Sequence, residues 1–111
     1  MGAGGTQDTT GRGDPLDALD PTLTMFALAN GMDLVREPSV RRLEWYRDGL
    51  DRGIRLEAGP DGGLAASALA WNREDPGAAP RSKRLDPLPP APPSRTLTAA
   101  LEEALRAANA L

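Results

Sequence analysis

The stretch VRRLEWYRDGLDRGIRLEAGPDGGLAASALAW, residues 40–71, decides which fold this chain can adopt. It contains both tryptophans and the only tyrosine. Residues 54–58 alternate apolar and polar side chains, which is typical of a half-buried strand. Residues 64–71 alternate in the same way, and residues 59–63 between them have the proline and glycines of a turn. The pattern therefore predicts a β-hairpin whose first strand begins near Gly53 and whose second strand ends at the second tryptophan.

The part of the stretch that precedes the hairpin, residues 39–50, fits two templates. Its apolar residues recur at a spacing of three to four, as in a helix that Ser39 would cap. Leu43 and Trp45 also alternate with polar residues up to an Asp-Gly turn, as in a strand. Adjacent Trp45 and Tyr46 favour the strand, where they would face opposite sides. The alanine-rich second strand of the hairpin leaves a short helix open as an alternative, because Ala is a poor strand former.

Two helices are predicted, one on each side of this central stretch. Asp20 followed by Pro21 is a favoured helix start, and Gly31 supplies a C-terminal stop for a helix over residues 21–30. Its apolar residues surround most of its circumference, so it must pack on the central stretch or on another protein. Residues 95–110 form a second, amphipathic helix. Its apolar stripe consists of Leu97, Leu101, Leu105 and Ala108.

The fold class that follows is α+β, with a small antiparallel β-hairpin or three-stranded meander at about residues 41–71 packed with both helices. Residues 1–19 are predicted to be a disordered leader, and residues 20–72 a small α+β body. Residues 73–93 hold seven of the eleven prolines and are predicted to be an extended, exposed linker. Residues 94–111 are the C-terminal helix, which docks either on its own body or on a partner.

Composition limits what such a chain can do alone. About 70 residues remain to build a core, and a domain of that size is usually only marginally stable without a disulfide, a structural metal or a partner. The chain has no cysteine and no histidine, so a disulfide and a structural zinc site are excluded. A net charge of −3 makes nucleic acid an unfavourable partner. The expected partner is another protein in a hetero-complex, or a second copy in a homo-oligomer.

The terminal and apolar segments carry no membrane signal. No apolar stretch follows a basic N-terminal cluster, and the longest apolar run is too short to span a bilayer. Cytoplasmic localisation is therefore the expectation. Twelve arginines against one lysine, with abundant Ala, Gly and Pro, indicate a GC-rich and bacterial genome.

The absence of histidine and cysteine also removes most familiar catalytic arrangements. The densest set of carboxylates near the predicted core lies in or beside turns. It consists of Asp48, Asp51, Glu57 and Asp61. Two of these could hold a magnesium or calcium ion, but no loop template fits. We therefore predict no catalytic residue, no metal ligand and no cofactor, and a small enzyme that works through carboxylates is the least favoured function.

The remaining candidate is a cluster of arginines around Trp45 and Tyr46. Its members are Arg41, Arg42, Arg47, Arg52 and Arg55. Arginine beside exposed aromatic rings can form a protein interface or stack on bases, or it can pair with neighbouring acids on a solvated face. The residues predicted to bind a partner are Arg41, Arg42, Trp45, Tyr46, Arg47, Trp71, Leu97, Leu101 and Leu105.

The function that these features favour is that of a non-catalytic accessory subunit or adaptor, which binds a larger protein through its apolar helices and this cluster. The alternative is a small nucleic-acid-binding regulator. It would use Arg41, Arg42, Trp45, Tyr46 and Arg47.

Overall fold

The computed structural model describes residues 14–111. This part of the chain forms one five-stranded antiparallel sheet with a helix before it and a helix after it, which confirms the predicted α+β class. A short 3-10 turn at Asp17–Leu19 leads into the first helix. In chain order the elements are α1 (Asp20–Asn30), β1 (Asp33–Glu37), β2 (Val40–Arg47), β3 (Leu50–Ala58), β4 (Leu64–Trp71), β5 (Arg81–Arg84) and α2 (Ser94–Ala110).

The sheet is a simple meander, because the strands lie side by side in the order in which they follow one another along the chain. The favoured strand interpretation of residues 39–50 is confirmed by β2. Asp48 and Gly49 join β2 to β3 with positive φ angles of 52° and 81°, which is the geometry of the two-residue turn that matches strand twist. The predicted hairpin is β3 with β4, and Ile54 lies opposite Ala68 in its register.

Both helices pack on the same face of the sheet, which we call the helix face. The register places Leu43 opposite Ile54 and Ile54 opposite Ala68, so these three side chains form a row on that face. The core lies between this row and the helices. Its buried apolar residues include Leu16, Leu19, Leu23, Phe26, Met32, Leu43, Ile54, Leu56, Leu64, Leu97 and Leu101. The opposite side of the sheet, which we call the outer face, is covered by neither helix.

The first helix ends where the sequence predicts. Gly31 adopts a left-handed φ of 67°, and its N–H bonds to the carbonyl oxygen of Ala27. Leu23 and Phe26 are buried against the core. The side of α1 away from the sheet remains exposed, and Leu28 there is 76% accessible. Among residues 14–111, neither helix has the length and apolar character needed to cross a membrane.

The second helix docks on its own chain. Leu97 and Leu101 are almost fully buried in the core, and Ala104 and Ala108 are buried beside them. Ser94 is the first residue of the helix rather than its side-chain cap, and its hydroxyl lies 2.9 Å from that of Thr22 in α1. The apolar stripe of α2 is therefore used within the chain.

The proline-rich segment, predicted to be an extended and exposed linker, is exposed over most of its length but pairs with the sheet. Arg81–Arg84 forms β5 and pairs with β4. The N–H of Leu85 donates to the carbonyl of Ala66 at 2.9 Å, and Leu88 and Leu64 exchange two backbone hydrogen bonds of 2.9 Å each. The free edge of β4 offers backbone groups that this segment satisfies, and composition alone could not show that.

The predicted leader, residues 1–19, also needs correction at its C-terminal end. Residues 1–13 lie outside the described part of the chain. From Asp14 onward the chain is ordered, because Leu16 and Leu19 insert into the core and Asp14 accepts a 2.8 Å hydrogen bond from the N–H of Leu16. The body therefore begins about six residues before the predicted boundary.

Candidate functional site

The outer face of the sheet is a surface that the helices leave open. By strand alternation it carries Tyr46 from β2, Gly53 from β3, and Leu69 and Trp71 from β4. Leu69 and Trp71 are half-buried, whereas Tyr46 is 60% exposed. Apolar and aromatic groups therefore lie together on a face that neither helix covers.

Trp71 lies over Gly53 on the neighbouring strand. A Cβ atom built on Gly53 would meet Cζ3 of the indole at 3.2 Å, which is closer than ordinary van der Waals contact. Every other residue type at position 53 would therefore push the ring away from the sheet. Because Gly53 has no side chain, the indole packs flat on the backbone there. Gly53 lies opposite Leu69 in the register, so a second apolar side chain lies next to the indole.

A groove of about 410 Å³ opens beside this tryptophan. Leu69 and Trp71 form its apolar floor, and the loop that connects β4 to β5 forms one wall. The lining residues are Arg42, Glu44, Leu69, Trp71, Asn72, Pro76, Ala78 and Pro80. The groove combines an aromatic floor with a charged rim, and this is the composition of a site that holds an apolar side chain of another molecule.

Next to the groove, Arg73 is held between two side chains. Its guanidinium carbon lies 5.3 Å from the centre of the Tyr46 ring, within the range of a cation–π contact. Its Nε donates to Oδ2 of Asp51 at 2.8 Å, and its Nη2 contacts the other carboxylate oxygen. Such a two-pronged pair fixes the guanidinium plane. These two contacts therefore link Tyr46, Arg73 and Asp51 into one group.

The same pair sets the ionisation of Asp51. The hydrogen bond from Arg73 lowers the pKa of this carboxyl, burial opposes that effect, and the positive charge of Arg73 adds to it. The pKa of Arg73 is raised, chiefly by its hydrogen bond to Asp51. Both groups are therefore charged at neutral pH, and the pair remains intact there.

Three of the predicted binding residues lie on the outer face, namely Arg42, Tyr46 and Trp71. Arg42 is not a free cation. Its Nη1 donates to Glu44 at 2.8 Å, and its Nη2 donates to Glu37 at 3.3 Å. The structure thus brings one arginine and two aromatic rings of the predicted set to one surface, with the arginine charge compensated.

Trp45 and Arg47 lie on the other side of β2. Trp45 packs at the edge of the core, and its indole N–H donates to Oδ1 of Asn109 in α2 at 3.0 Å. Arg47 is exposed at the strand end and pairs with Asp48 at 3.4 Å. These two residues therefore do not share a face with Tyr46, as strand geometry requires for Trp45.

Arg41 is buried inside the chain rather than exposed to a partner. Only 3% of the residue is accessible. Its guanidinium donates to Asp20 and Asp17 at 2.8 Å each, and it contacts Asp14 at 3.4 Å. It also donates to the backbone carbonyl of Glu37 at 2.9 Å. This residue joins the segment before α1 to the sheet, so its role is structural.

The electrostatics of this cluster follow from its packing. Burial alone would raise the pKa of Asp14. Backbone hydrogen bonds from Leu16 and Ser39, together with the charge of Arg41, outweigh that effect and lower the pKa. Burial acts to lower the pKa of Arg41, but its hydrogen bond to Asp20 and the nearby carboxylates raise it. Asp14 and Arg41 are therefore both charged at neutral pH.

The leucines of the predicted set lie in α2. Leu97 and Leu101 are buried in the core, and Leu105 is half-buried at its margin. The helix docks on its own sheet, so Leu97 and Leu101 have no surface left for a partner. This corrects the sequence interpretation, which could not decide between docking on the chain and docking on another protein.

The turn carboxylates considered for a metal are dispersed along the sheet. Glu57 and Asp51 lie near opposite ends of β3. Each carboxylate has its own partner: Asp48 pairs with Arg47, Asp51 with Arg73, Glu57 with Arg55, and Asp61 accepts from the N–H of Gly63. The four do not converge on a common point.

Several residues in or next to the groove escaped the sequence interpretation. Gly53 had the signal of a glycine inside a strand, which often marks a close approach of another group. Arg73, Pro76, Ala78 and Pro80 gave none, because they belonged to a segment predicted to be a linker. Only the return of β5 to the sheet places them beside Trp71. Comparison with protein-family models, with curated proteins and with solved structures finds no match to this chain.

Proposed function

We propose that this chain is a non-catalytic adaptor or accessory subunit, which binds a larger protein through the outer face of its sheet. The observation that supports the proposal is the groove on the outer face of the sheet, which the helices do not cover. Leu69 and Trp71 form the floor of this groove. Buried apolar anchors of a partner fit such grooves, and Trp, Tyr and Arg are the residues most enriched at interface hot spots. Trp71 is accompanied here by a tyrosine and an arginine, namely Tyr46 and Arg73.

Pre-ordering of this surface supports the same function. Asp51 accepts hydrogen bonds from Arg73, the guanidinium of Arg73 packs over the ring of Tyr46, and the indole of Trp71 packs on Gly53. Side chains that are already fixed lose less conformational entropy when a partner binds. An ordered aromatic surface on a small domain without a staple is therefore suited to protein recognition.

The nucleic-acid alternative has less support from the geometry. It needs a positive surface on which arginines and aromatic rings act together. Arg41 is buried among carboxylates, Arg42 pairs with Glu44, and Trp45 faces the helices. The predicted cluster is thus divided between two faces and largely neutralised.

The test compares two alanines of the β4–β5 loop. Ala78 lines the groove and Ala79 does not, although both are exposed. Tagged wild-type chain, Ala78→Glu and Ala79→Glu are expressed in the native host and captured with what they bind. We expect a protein that is retained by the wild type and by Ala79→Glu and is lost with Ala78→Glu.

A second measurement checks that the captured protein binds the folded chain. When the purified partner is added at about 100 times its dissociation constant, it should stabilise the chain by about 2.7 kcal/mol and raise its melting temperature. Equal capture by both variants would refute the groove as the binding site. A melting temperature above about 70 °C for the isolated monomer would argue against partner dependence, since mesophile domains cluster at about 45–65 °C.

A further inference from the structure

The free edge of β5 has the features of a site that accepts another strand. Arg81–Arg84 is the last strand of the sheet, and within residues 14–111 no segment pairs with its outer edge. All four of its residues are exposed. An edge strand presents a row of backbone N–H and C=O groups that can pair with an added chain.

The hydrogen-bonding pattern between β4 and β5 shows which backbone groups of β5 remain available to another strand. Leu85 donates to Ala66 of β4, and in an antiparallel pair the bonding direction alternates from residue to residue. Arg81 and Lys83 therefore point their backbone groups toward β4. Ser82 and Arg84 point theirs away from the sheet, and each offers one N–H and one C=O to an incoming strand.

The charge of this edge selects what can add to it. Three of its four residues are basic, namely Arg81, Lys83 and Arg84. Among residues 14–111, no Asp or Glu carboxylate forms an ion pair with any of the three, and Arg81 donates a hydrogen bond to the backbone oxygen of Leu111. Arginines elsewhere on the sheet, such as Arg42 and Arg55, are paired. Like charges placed opposite one another destabilise a strand pair and opposite charges stabilise it.

We propose that the β5 edge binds an acidic, extended segment of the partner protein as a sixth, antiparallel strand. Backbone hydrogen bonds to Ser82 and Arg84 would hold this segment. Its alternate carboxylates would lie beside Arg81 and Lys83, which share one face of the sheet, whereas Arg84 lies on the other face. Pro80 and Pro87 bound the pairing stretch, since neither can donate a backbone hydrogen bond. The site therefore fits a segment of about four to six residues. This inference rests on the proposed function, because it names the chemistry of the partner.

Substitutions at Ser82 test strand addition directly. Its N–H faces away from β4, so Ser82→Pro removes a donor from the free edge without breaking the existing ladder, a position where sheets tolerate proline. Ser82→Ala is the matched control. The probe is the fluorescein-labelled peptide Glu-Val-Glu-Val-Glu-Val-Glu, acetylated and amidated at its ends, added to the full chain at low salt and followed by fluorescence anisotropy.

We expect Ser82→Pro to weaken binding of the acidic peptide by about tenfold or more, and Ser82→Ala to change it by less than about twofold. The same peptide with Lys in place of Glu should not bind. In a heteronuclear NMR titration the largest amide shifts should fall at Ser82 and Arg84. Equal affinity of Ser82→Pro and the wild type would overturn strand addition and leave only general charge attraction.

Two further measurements locate the probe and separate this proposal from the groove. Lys83 is the only lysine of the chain, so carbodiimide coupling of the acidic peptide should yield a product at this residue. Ser82→Pro should weaken peptide binding by the same factor in an Ala78→Glu background, so failure at the edge is distinguishable from failure of the groove. Dimerisation of the chain without peptide, removed by Ser82→Pro, would reject the acidic segment and assign the edge to a second copy.

Discussion

The indole of Trp71 in β4 lies over Gly53 in β3, in the space that a side chain at position 53 would need. The relationship connects the fold to the candidate site, because the indole that packs on Gly53 also forms part of the floor of the groove. It gives the glycine a role that does not depend on backbone conformation. Gly49, by contrast, has open space around it and a φ of 81°.

Gly53→Val should therefore alter the groove as well as the stability. The added methyl groups overlap the indole, so we expect Trp71 to move outward and its fluorescence emission to shift to longer wavelength. The overpacking should also cost about 1–3 kcal/mol of the free energy of unfolding. A Trp45→Phe background isolates the emission of Trp71, and a urea titration gives the stability.

The matched control is Gly49→Ala, which strains the turn and leaves the indole alone. We expect it to lose about 1–2 kcal/mol, because an L-residue is disfavoured at positive φ. Its Trp71 emission should equal that of the wild type. If Gly53→Val left the emission of Trp71 unchanged, the close packing of the indole on Gly53 would be wrong.

Arg41→Ala should destabilise the chain by about 2–4 kcal/mol, because it leaves carboxylates gathered around a buried position without their cation. Arg36→Ala is the control. Arg36 is largely exposed and its contact with Asp20 is 3.5 Å, so its removal should change stability by less than about 1 kcal/mol. Chemical denaturation measures both variants. Limited proteolysis should show earlier cleavage before α1 in Arg41→Ala alone.

The cluster also predicts a dependence on pH. The pKa of Asp14 is lower in the folded chain than in the unfolded chain, where an aspartate titrates at about 3.9. Its ionised form therefore stabilises the fold above that value, and the contribution is lost as the pH falls through the folded pKa. Asp14→Asn should be less stable than the wild type by about 1–2 kcal/mol at pH 7.

That difference should shrink as the pH falls below about 3.9, because the wild-type carboxyl then becomes protonated as well. Denaturant titrations of both proteins between pH 2.5 and 7 provide the comparison. A constant difference over this whole range would show that the carboxylate charge of Asp14 contributes nothing to the fold.

Local sequence signals predicted the centre of the sheet well. The hairpin of β3 and β4, the Asp48–Gly49 turn and the end of α1 at Gly31 all depend on residues close together in sequence. Alternation over five to eight residues and glycines at positive φ suffice to indicate them. These elements are the ones that the structure confirms.

The edges of the sheet were beyond such signals. β1 is short, and β5 has no apolar residue with which to alternate. Each forms because a neighbouring strand offers free backbone groups, which is a property of the assembled fold. The candidate site has the same origin, since Arg42 and Trp71 were predicted to bind, whereas Pro80 and Ala78 reach it only through β5.

The role of Arg41 was missed for a related reason. A run of charged residues on a strand predicts a solvated or binding face when the partners of each charge are unknown. The aspartates that surround Arg41 come from the segment before α1 and from the first residue of α1, more than twenty residues earlier in the chain. Because these aspartates are far from Arg41 in the sequence, local patterns did not indicate the ion pairs. Arg41 was therefore predicted to bind another protein.

Arg52 provides a final prediction about how α2 is held. This residue is buried on the helix face, and its Nη1 donates to the carbonyl of Ala108 in the last turn of α2 at 2.6 Å. Its Nε donates to the carbonyl of Arg47 at 3.0 Å. A cation at a helix C-terminus also interacts favourably with the helix dipole. We therefore expect Arg52→Met, which keeps much of the packing, to lose about 2 kcal/mol.

The loss should be local as well as global if Arg52 fixes the end of the helix. Hydrogen exchange should become faster in the last turn of α2 and remain unchanged at Leu97, which the core holds independently. Asn109→Ala removes the other contact of that turn, the hydrogen bond to Trp45, and should produce a smaller loss of about 1 kcal/mol. Exchange that accelerated equally along the whole of α2 in Arg52→Met would instead show that this arginine supports the core and not the helix end.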